Sequence, residues 1–172
     1  MDWAELWADT FTAGNFWQSV SAVSAIVTVV AVLFLPVISQ KLRQQNILSM
    51  IQKELSEITL LMRQIVECGE KRKAITDGST GITEVMTIEA IAKRVSHECW
   101  DNFRFELSQD AYRCLKPFFI SASDVQSPQN AVASTNPETP DMFHMADLRQ
   151  NFARDFLDEL SKTAKKCKYL KI

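Results

Sequence analysis

The chain has 172 residues, of which 47% are hydrophobic and 23% are charged, and its net charge is −2. This length bounds the protein to one domain with at most a small appendage. The near-neutral charge excludes a strongly basic nucleic-acid binder, so duplex DNA is not an expected partner. The averages hide a segregation, because no charged residue lies between Asp9 and Lys41.

The N-terminal third contains one long apolar stretch. Residues 16–39 read FWQSVSAVSAIVTVVAVLFLPVIS, which at about 1.5 Å per helical residue is long enough for the ~30 Å hydrocarbon core of a bilayer. The pattern predicts a single transmembrane helix over residues 16–40. A cleavable signal peptide is disfavoured, because the preceding residues are acidic and no A-x-A site follows. A buried helix of a soluble domain is disfavoured by the tryptophans before the stretch and by Lys41 and Arg43 after it.

The same flanks predict an orientation. All charged side chains in the head before the stretch, residues 1–15, are acidic, whereas the basic residues Lys41, Arg43 and Lys53 follow the stretch. The positive-inside rule then puts the N-terminus outside and the C-terminus in the cytoplasm of a bacterial inner-membrane protein. Cytoplasmic thiols are kept reduced, so the four cysteines are expected to be free.

The two faces of the apolar helix differ in side-chain size. The small and polar stripe consists of Gln18, Ser21, Ala25 and Thr28. Small and hydroxyl-bearing residues permit close helix approach, so the stripe is a candidate helix interface or pore lining. The alternative is that the hydroxyls bond to carbonyls of their own helix. Pro36 is expected to kink or end the helix near its exit.

Residues 41–120 are predicted to form a cytoplasmic helical region. A first helix over about 40–73 carries a seam at steps of three and four, formed by Leu48, Ile51, Leu55, Ile58, Met62 and Ile65. This seam fits either an intermolecular coiled coil or a helix packed on its own domain. A second helix, from residue 83 or 84 to a pause at residues 108–110, presents Val85, Ile88, Ile91, Ala92, Val95, Cys99 and Phe103 on one face.

Turn and capping residues divide the rest of the chain. Ser108 is a candidate N-cap of a short helix that ends before Pro117. The polar composition of residues 121–140 predicts a flexible loop. Thr139 and Pro140 then precede a helix within residues 141–172, with apolar positions Met145, Leu148, Phe152, Phe156, Leu160 and Ala164. No strand pattern is found, so the predicted fold class is all-α.

Few residues in the sequence are candidates for catalysis or ligand binding. Neither His97 nor His144 stands in the Arg-x4-6-His signature of the HEPN ribonucleases, which disfavours such a nuclease without excluding a divergent one. One helical face is predicted to gather Lys93, Arg94, His97, Trp100 and Arg104. Basic groups around an indole can hold a phosphate and stack a base, so these residues form a candidate site for an anionic ligand. The alternative is a solvated face whose tryptophan lies partly in the core.

No cofactor or metal site is expected. The hydroxyl-rich turn at residues 76–81 lacks the GK[ST] of a phosphate loop, and the four cysteines show no CxxC pair. A metal at His97 and Cys99 is disfavoured, because residues two apart on a helix diverge. Five lysines without an acidic residue occupy the last eleven positions, namely Lys162, Lys165, Lys166, Lys168 and Lys171. They are explained by the helix dipole, with contact to anionic lipid as the alternative.

The overall layout resembles that of small membrane effectors of bacterial phage defence, including CRISPR-associated membrane proteins. The resemblance lies in the apolar span, the charged exit at Lys41 and Arg43, and the small helical region that follows. It implies a non-enzymatic homo-oligomer that contacts membrane lipid and receives a signal from a cyclic oligonucleotide or an effector-complex protein. The alternatives are a membrane-tethered adaptor module and, less favoured, a divergent HEPN-like RNase.

Overall fold

A computed structural model describes residues 13–75, 81–128, 141–164 and 166–170, with side chains described from Phe16 onward. In these ranges the chain forms helices and no strand, which confirms the all-α prediction. The helices are α1 (Ala13–Ala74), α2 (Ile82–Lys93), α3 (Glu98–Phe103), a 3₁₀ turn (Arg104–Glu106), α4 (Gln109–Gln126) and α5 (Met142–Ala164). The predicted head at residues 1–15 lies largely outside the described residues.

The chain divides into two compact units, Met1–Arg43 and Gln44–Ile172. The described part of the first unit is the N-terminal portion of α1, and its large apolar side chains are exposed. The second unit is a helical bundle with its own hydrophobic core, contributed by the rest of α1 and by the other helices. Because it contains its own core, the bundle has the anatomy of an independent domain.

The seam predicted on α1 packs inside the bundle. Ile51, Leu55, Met62 and Ile65 are fully buried, and Ile58 is 1% exposed. Of the two interpretations, the helix packed on its own domain is therefore confirmed, since a seam that is already buried cannot also form an intermolecular coiled coil. α1 runs without interruption to Ala74, and residues 76–80 of the predicted turn lie outside the described residues.

The second predicted helix is interrupted. α2 ends at Lys93, where Arg94 and Val95 donate backbone hydrogen bonds three residues back to Ile91 and Ala92, and α3 starts only at Glu98. The break is stabilised from α1: the Glu54 carboxylate accepts the backbone N–H of Cys99 at 2.9 Å and that of Trp100 at 3.0 Å. The prediction of one continuous helix up to residues 108–110 was wrong, because apolar spacing continues across a turn that a distant carboxylate stabilises.

α4 begins as the sequence indicates and ends later. The Ser108 side chain accepts the N–H of Ala111 at 3.3 Å, which confirms the N-cap. The helix continues through Pro117 to Gln126, so the expected end at residue 116 and the expected loop start at residue 121 were both wrong. The missing N–H of Pro117 is offset by burial of apolar residues on either side of it, which include Leu115, Phe118, Phe119, Ala122 and Val125. Residues 129–140 of the predicted loop lie outside the described residues.

α5 buries a wider face than its apolar pattern indicates. Its buried residues are Met145, Ala146, Arg149, Gln150, Ala153, Phe156 and Leu160. At its start, the Asp141 carboxylate accepts the N–H of Phe143 at 3.4 Å. Along its length α5 runs antiparallel to α1: Arg154 pairs with Glu70 at 3.2 Å, whereas Tyr169, beyond the end of α5, accepts from Gln52 at 2.7 Å.

A disulfide fixes the segment after α5. Cys114 of α4 is bonded to Cys167, with their Cα atoms 6.6 Å apart, while Cys68 and Cys99 are free. The expectation of four free thiols was therefore wrong for two of them. That expectation followed from the cytoplasmic assignment alone, and the two residues are 53 positions apart in the sequence, so no local spacing signals their pairing.

Candidate functional site

The apolar portion of α1, residues 16–38, is an exposed surface that does not belong to the core of the bundle. Every large apolar side chain from Phe16 to Ile38 is between 41% and 69% exposed. Within the described residues, α1 is the one helix long and apolar enough to cross a bilayer. Trp17 lies at the start of this stretch, where its ring meets that of Phe16 edge to face at 5.6 Å. Soluble domains rarely expose an apolar surface of this extent without a partner or a membrane.

The small and polar stripe lies on this exposed portion. Gln18, Ser21, Ala25 and Thr28 are all exposed, and because helical residues three and four apart share a face, they lie along one side of α1. The Thr28 hydroxyl donates to the carbonyl of Ser24 at 2.8 Å. Thr28 thus bonds within its own helix, as the alternative interpretation expects, but its small size still permits close approach of a second helix.

Pro36 neither ends nor divides α1. The helix continues through it, and the Ser39 hydroxyl donates to the Pro36 carbonyl at 2.9 Å. The end of the helix at Pro36, one of the two outcomes expected there, is therefore not observed.

The five residues of the candidate anion site lie around the turn between α2 and α3. The break in the helix separates Lys93 and Arg94 from the others, so the single helical face predicted for the set is not formed. Lys93 Nζ lies 3.6 Å from Glu89, and Asp101 lies between His97 at 3.4 Å and Arg104 at 3.5 Å. Lys93, His97 and Arg104 thus each lie beside a carboxylate three or four residues away in the sequence.

Trp100 is part of the core. Its ring is 4% exposed and stacks on Tyr112 at 5.4 Å and on Phe119 at 4.6 Å, both residues of α4. These contacts occupy the indole, which leaves it unable to stack a nucleotide base. The core interpretation of Trp100 is confirmed, whereas anion binding by the surrounding basic residues stays a prediction.

A shallow groove lies beside this turn. It has a volume of about 300 Å³, and its lining residues come from α1 and from the α2–α3 turn: Met50, Lys53, Glu54, Glu57, Ile58, Leu61, Arg94, Ser96 and Cys99. Both signs of charge are present, so the groove has no net preference for anions or cations. In the described residues no group of three or more His, Cys, Asp or Glu side chains is arranged to hold a metal ion.

Glu54 links the groove to the core. It is only 9% exposed, and burial raises the pKa of its carboxyl above the usual value of 4.5, although the backbone N–H groups of Cys99 and Trp100 oppose this rise. Burial and the neighbouring Glu54 carboxylate also raise the pKa of the Cys99 thiol. Cys99 therefore stays protonated and is a weak nucleophile at neutral pH.

The other cysteines offer no better nucleophile. Burial raises the pKa of the Cys68 thiol, and Cys114 is engaged in the disulfide. Neither residue has the low-pKa environment that activates a catalytic cysteine.

The sequence did not indicate three structurally important polar residues. These residues are Glu54, Arg149 and Gln150. Arg149 is 7% exposed, donates to the Val125 carbonyl at 3.2 Å and pairs with Glu89. The only sequence signal for such residues is a polar residue next to a buried apolar position, which many solvent-exposed residues share.

Comparison with known proteins provides no relative. No protein-family model, no curated protein and no solved structure matches the chain. The functional argument therefore depends on the residues and contacts described above.

Proposed function

We propose that the chain is a single-pass membrane protein, anchored by residues 16–39 of α1. The exposed apolar surface of this segment carries the proposal. Full burial of an exposed large apolar side chain is worth about 1.5–3 kcal/mol, so the 14 that lie about half exposed between Phe16 and Ile38 represent on the order of 10–20 kcal/mol. That is as large as the ~5–15 kcal/mol stability of a typical domain, and a lipid bilayer is the environment that would cover all sides of the helix.

The proposed role is that of a non-enzymatic, oligomeric inner-membrane effector. Spans would associate through the stripe of Gln18, Ser21, Ala25 and Thr28, and the helical bundle would receive the activating signal. The supporting observations are the small side chains along one side of an exposed apolar helix and the layout shared with small membrane effectors of phage defence. The signal is a cyclic oligonucleotide or a protein of an effector complex.

The oligomeric state of the full chain in mild detergent tests this role. We expect defined oligomers that dissociate in Ala25→Leu, because the larger side chain keeps the spans apart. Val30→Phe is the matched control, since it adds bulk on the opposite side of the helix and should leave the oligomer intact. A monomeric wild-type protein, or an Ala25→Leu variant that assembles like the wild type, would contradict the proposal.

We place the bundle in the cytoplasm. Lys41 and Arg43 follow the span, and the charge bias acts directly on membrane insertion. In this compartment cellular thiols would reduce the Cys114–Cys167 pair, so the disulfide describes the oxidised protein. A C-terminal green fluorescent protein fusion should be fluorescent and a C-terminal alkaline phosphatase fusion inactive. The reverse pattern, with the disulfide trapped intact in living cells, would place the bundle outside.

A membrane-tethered adaptor is the second candidate. The buried seam of α1 favours it, because the bundle completes its core without a second copy. Replacing residues 16–39 by an unrelated Leu-rich span separates the two functions. An adaptor keeps its cellular phenotype after the exchange, whereas an effector that acts through its spans loses it.

A further inference from the structure

Three of the described lysines lie at or just beyond the end of α5, namely Lys162, Lys166 and Lys168, and we call them the lysine patch. We propose that the lysine patch binds anionic lipid headgroups of the same membrane that holds the apolar part of α1. The inference depends on the membrane anchor of the proposed function and adds to it a second contact with the bilayer, made by the opposite end of the chain.

The antiparallel packing of α5 on α1 determines where the patch lies in the bundle. Arg154 of α5 pairs with Glu70 near the end of α1, whereas Tyr169 meets Gln52 at 2.7 Å. Gln52 lies eight residues after Gln44, the first residue of the bundle, which is about 12 Å along a helix. The tail therefore packs beside the first turns of α1 within the bundle, which are the residues of the bundle closest in sequence to the apolar segment.

The backbone that carries the patch is fixed in place. Leu170 is 7% exposed and belongs to the core, and the Tyr169 carbonyl accepts from the Gln52 side chain at 2.7 Å. The backbone N–H groups of Lys166 and Cys167 both donate to the Thr163 carbonyl. All three lysine side chains of the patch are exposed. Little chain entropy is therefore lost when they contact a surface.

The charge around the patch is one-sided. Residues 44–53 and 160–170, between which the Gln52–Tyr169 hydrogen bond is made, include no acidic residue. Of the acids next to them in the sequence, Glu54 caps α3 from within the core, and Glu159 accepts from the Thr163 hydroxyl at 3.2 Å one turn before the patch. A cluster of lysines near a membrane exit is the usual arrangement for contact with anionic lipid.

The helix dipole does not account for the whole patch. Its effect is confined to the last turn of a helix, and Lys168 lies four residues beyond the end of α5 at Ala164. The Lys168 ammonium lies instead over the ring of Tyr169, 4.9 Å from its centre. Each lysine close to an anionic bilayer contributes a factor of about five to its binding.

Lysine footprinting of the full chain in lipid nanodiscs tests the inference. The protein is placed in discs of phosphatidylcholine alone or mixed with phosphatidylglycerol, pulsed with an acetylating reagent, and analysed by mass spectrometry for each lysine. We expect Lys166 and Lys168 to react several-fold more slowly in the anionic discs and to recover at high salt, which screens exposed charges. Lys71 and Lys73, at the other end of α1 within the bundle, are the internal controls and should not change.

Variants and a soluble anion complete the experiment. Lys166→Gln with Lys168→Gln should remove the protection of Lys162, whereas Lys71→Gln with Lys73→Gln should preserve it. Equal rates in both kinds of disc, equal slowing at both ends of the bundle, or the same protection from inorganic phosphate in phosphatidylcholine discs would each overturn the inference. A protein that does not migrate with the discs would instead overturn the membrane anchor itself, and the lipid contact with it.

Discussion

Gly69 of α1 lies directly against Gln150 of α5, and its replacement by alanine should destabilise the bundle. A Cβ added at Gly69 would overlap three atoms of the terminal amide of Gln150. The most distant of the three, Oε1, would lie 2.5 Å from the new Cβ. Gln150 is completely buried and its Nε2 donates to the Val66 carbonyl at 3.4 Å, so the amide has no free space to enter.

The magnitude follows from two opposing terms. Alanine is favoured over glycine in a helix by about 1 kcal/mol. Overpacking of a full core costs about 1–3 kcal/mol, and the overlap of Gly69→Ala with three buried atoms puts it at the upper end. The expected net loss is about 2 kcal/mol in the free energy of unfolding. With the usual dependence on urea, this corresponds to a midpoint about 1 M lower.

Gln150→Ala supplies the decisive background. It removes the overlapped amide, so Gly69→Ala should then stabilise the protein by about 1 kcal/mol, the helix-propensity term alone. The substitution thus changes sign with the identity of residue 150. Comparison of Ser56→Gly with Ser56→Ala, at an exposed position of α1, measures the glycine-to-alanine change at a solvated site.

Urea unfolding of the full chain in mild detergent is the assay. Trp100 reports on the bundle, because its ring is buried and stacked on Tyr112 and Phe119, once the three N-terminal tryptophans are replaced by phenylalanine. If Gly69→Ala raised the stability in the native background, the close approach of the two helices would be refuted.

Two further predictions concern the bundle. Glu54→Gln should lower stability by about 1–3 kcal/mol, because one of the N–H groups of Cys99 and Trp100 loses its acceptor. Since burial raises the pKa of Glu54, the folded protein keeps a proton that the unfolded chain releases, and the contribution of Glu54 falls as the pH rises above about 4.5. The deficit of Glu54→Gln should therefore shrink with rising pH in urea titrations, and a growing deficit would disprove the assignment. Cys167→Ser should lower the free energy of unfolding of the oxidised protein by about 4 kcal/mol, the loop-entropy term for a separation of 53 residues. After reduction, the variant and the wild type should unfold with the same free energy in urea titrations.

The sequence predicted those elements whose signals are local. The uncharged stretch from Phe16 defines the exposed part of α1, and the spacing of Ile51, Leu55 and Ile58 identifies the buried face of the same helix. Ser108 is recognisable as an N-cap, because its partner is only three residues away.

The remaining features depend on contacts between distant residues. The break before Glu98 requires the carboxylate of Glu54, 45 and 46 residues away from the two N–H groups that it accepts. Helix formation through Pro117 depends on burial of the residues that follow it, which local propensity does not report. The break before Glu98 also explains why the residues of the candidate anion site do not share one helical face, since that prediction assumed an unbroken helix.

The disulfide also determines how the bundle would respond to a protease. Cys114 and Cys167 close a covalent ring that contains residues 129–140 and all of α5. A single cut within residues 129–140 would therefore leave both fragments joined in the oxidised protein, and α5 would separate from the rest of the chain only after reduction and unfolding. Gel mobility of the nicked protein with and without a reductant would thus reveal the redox history of the molecule in the cell.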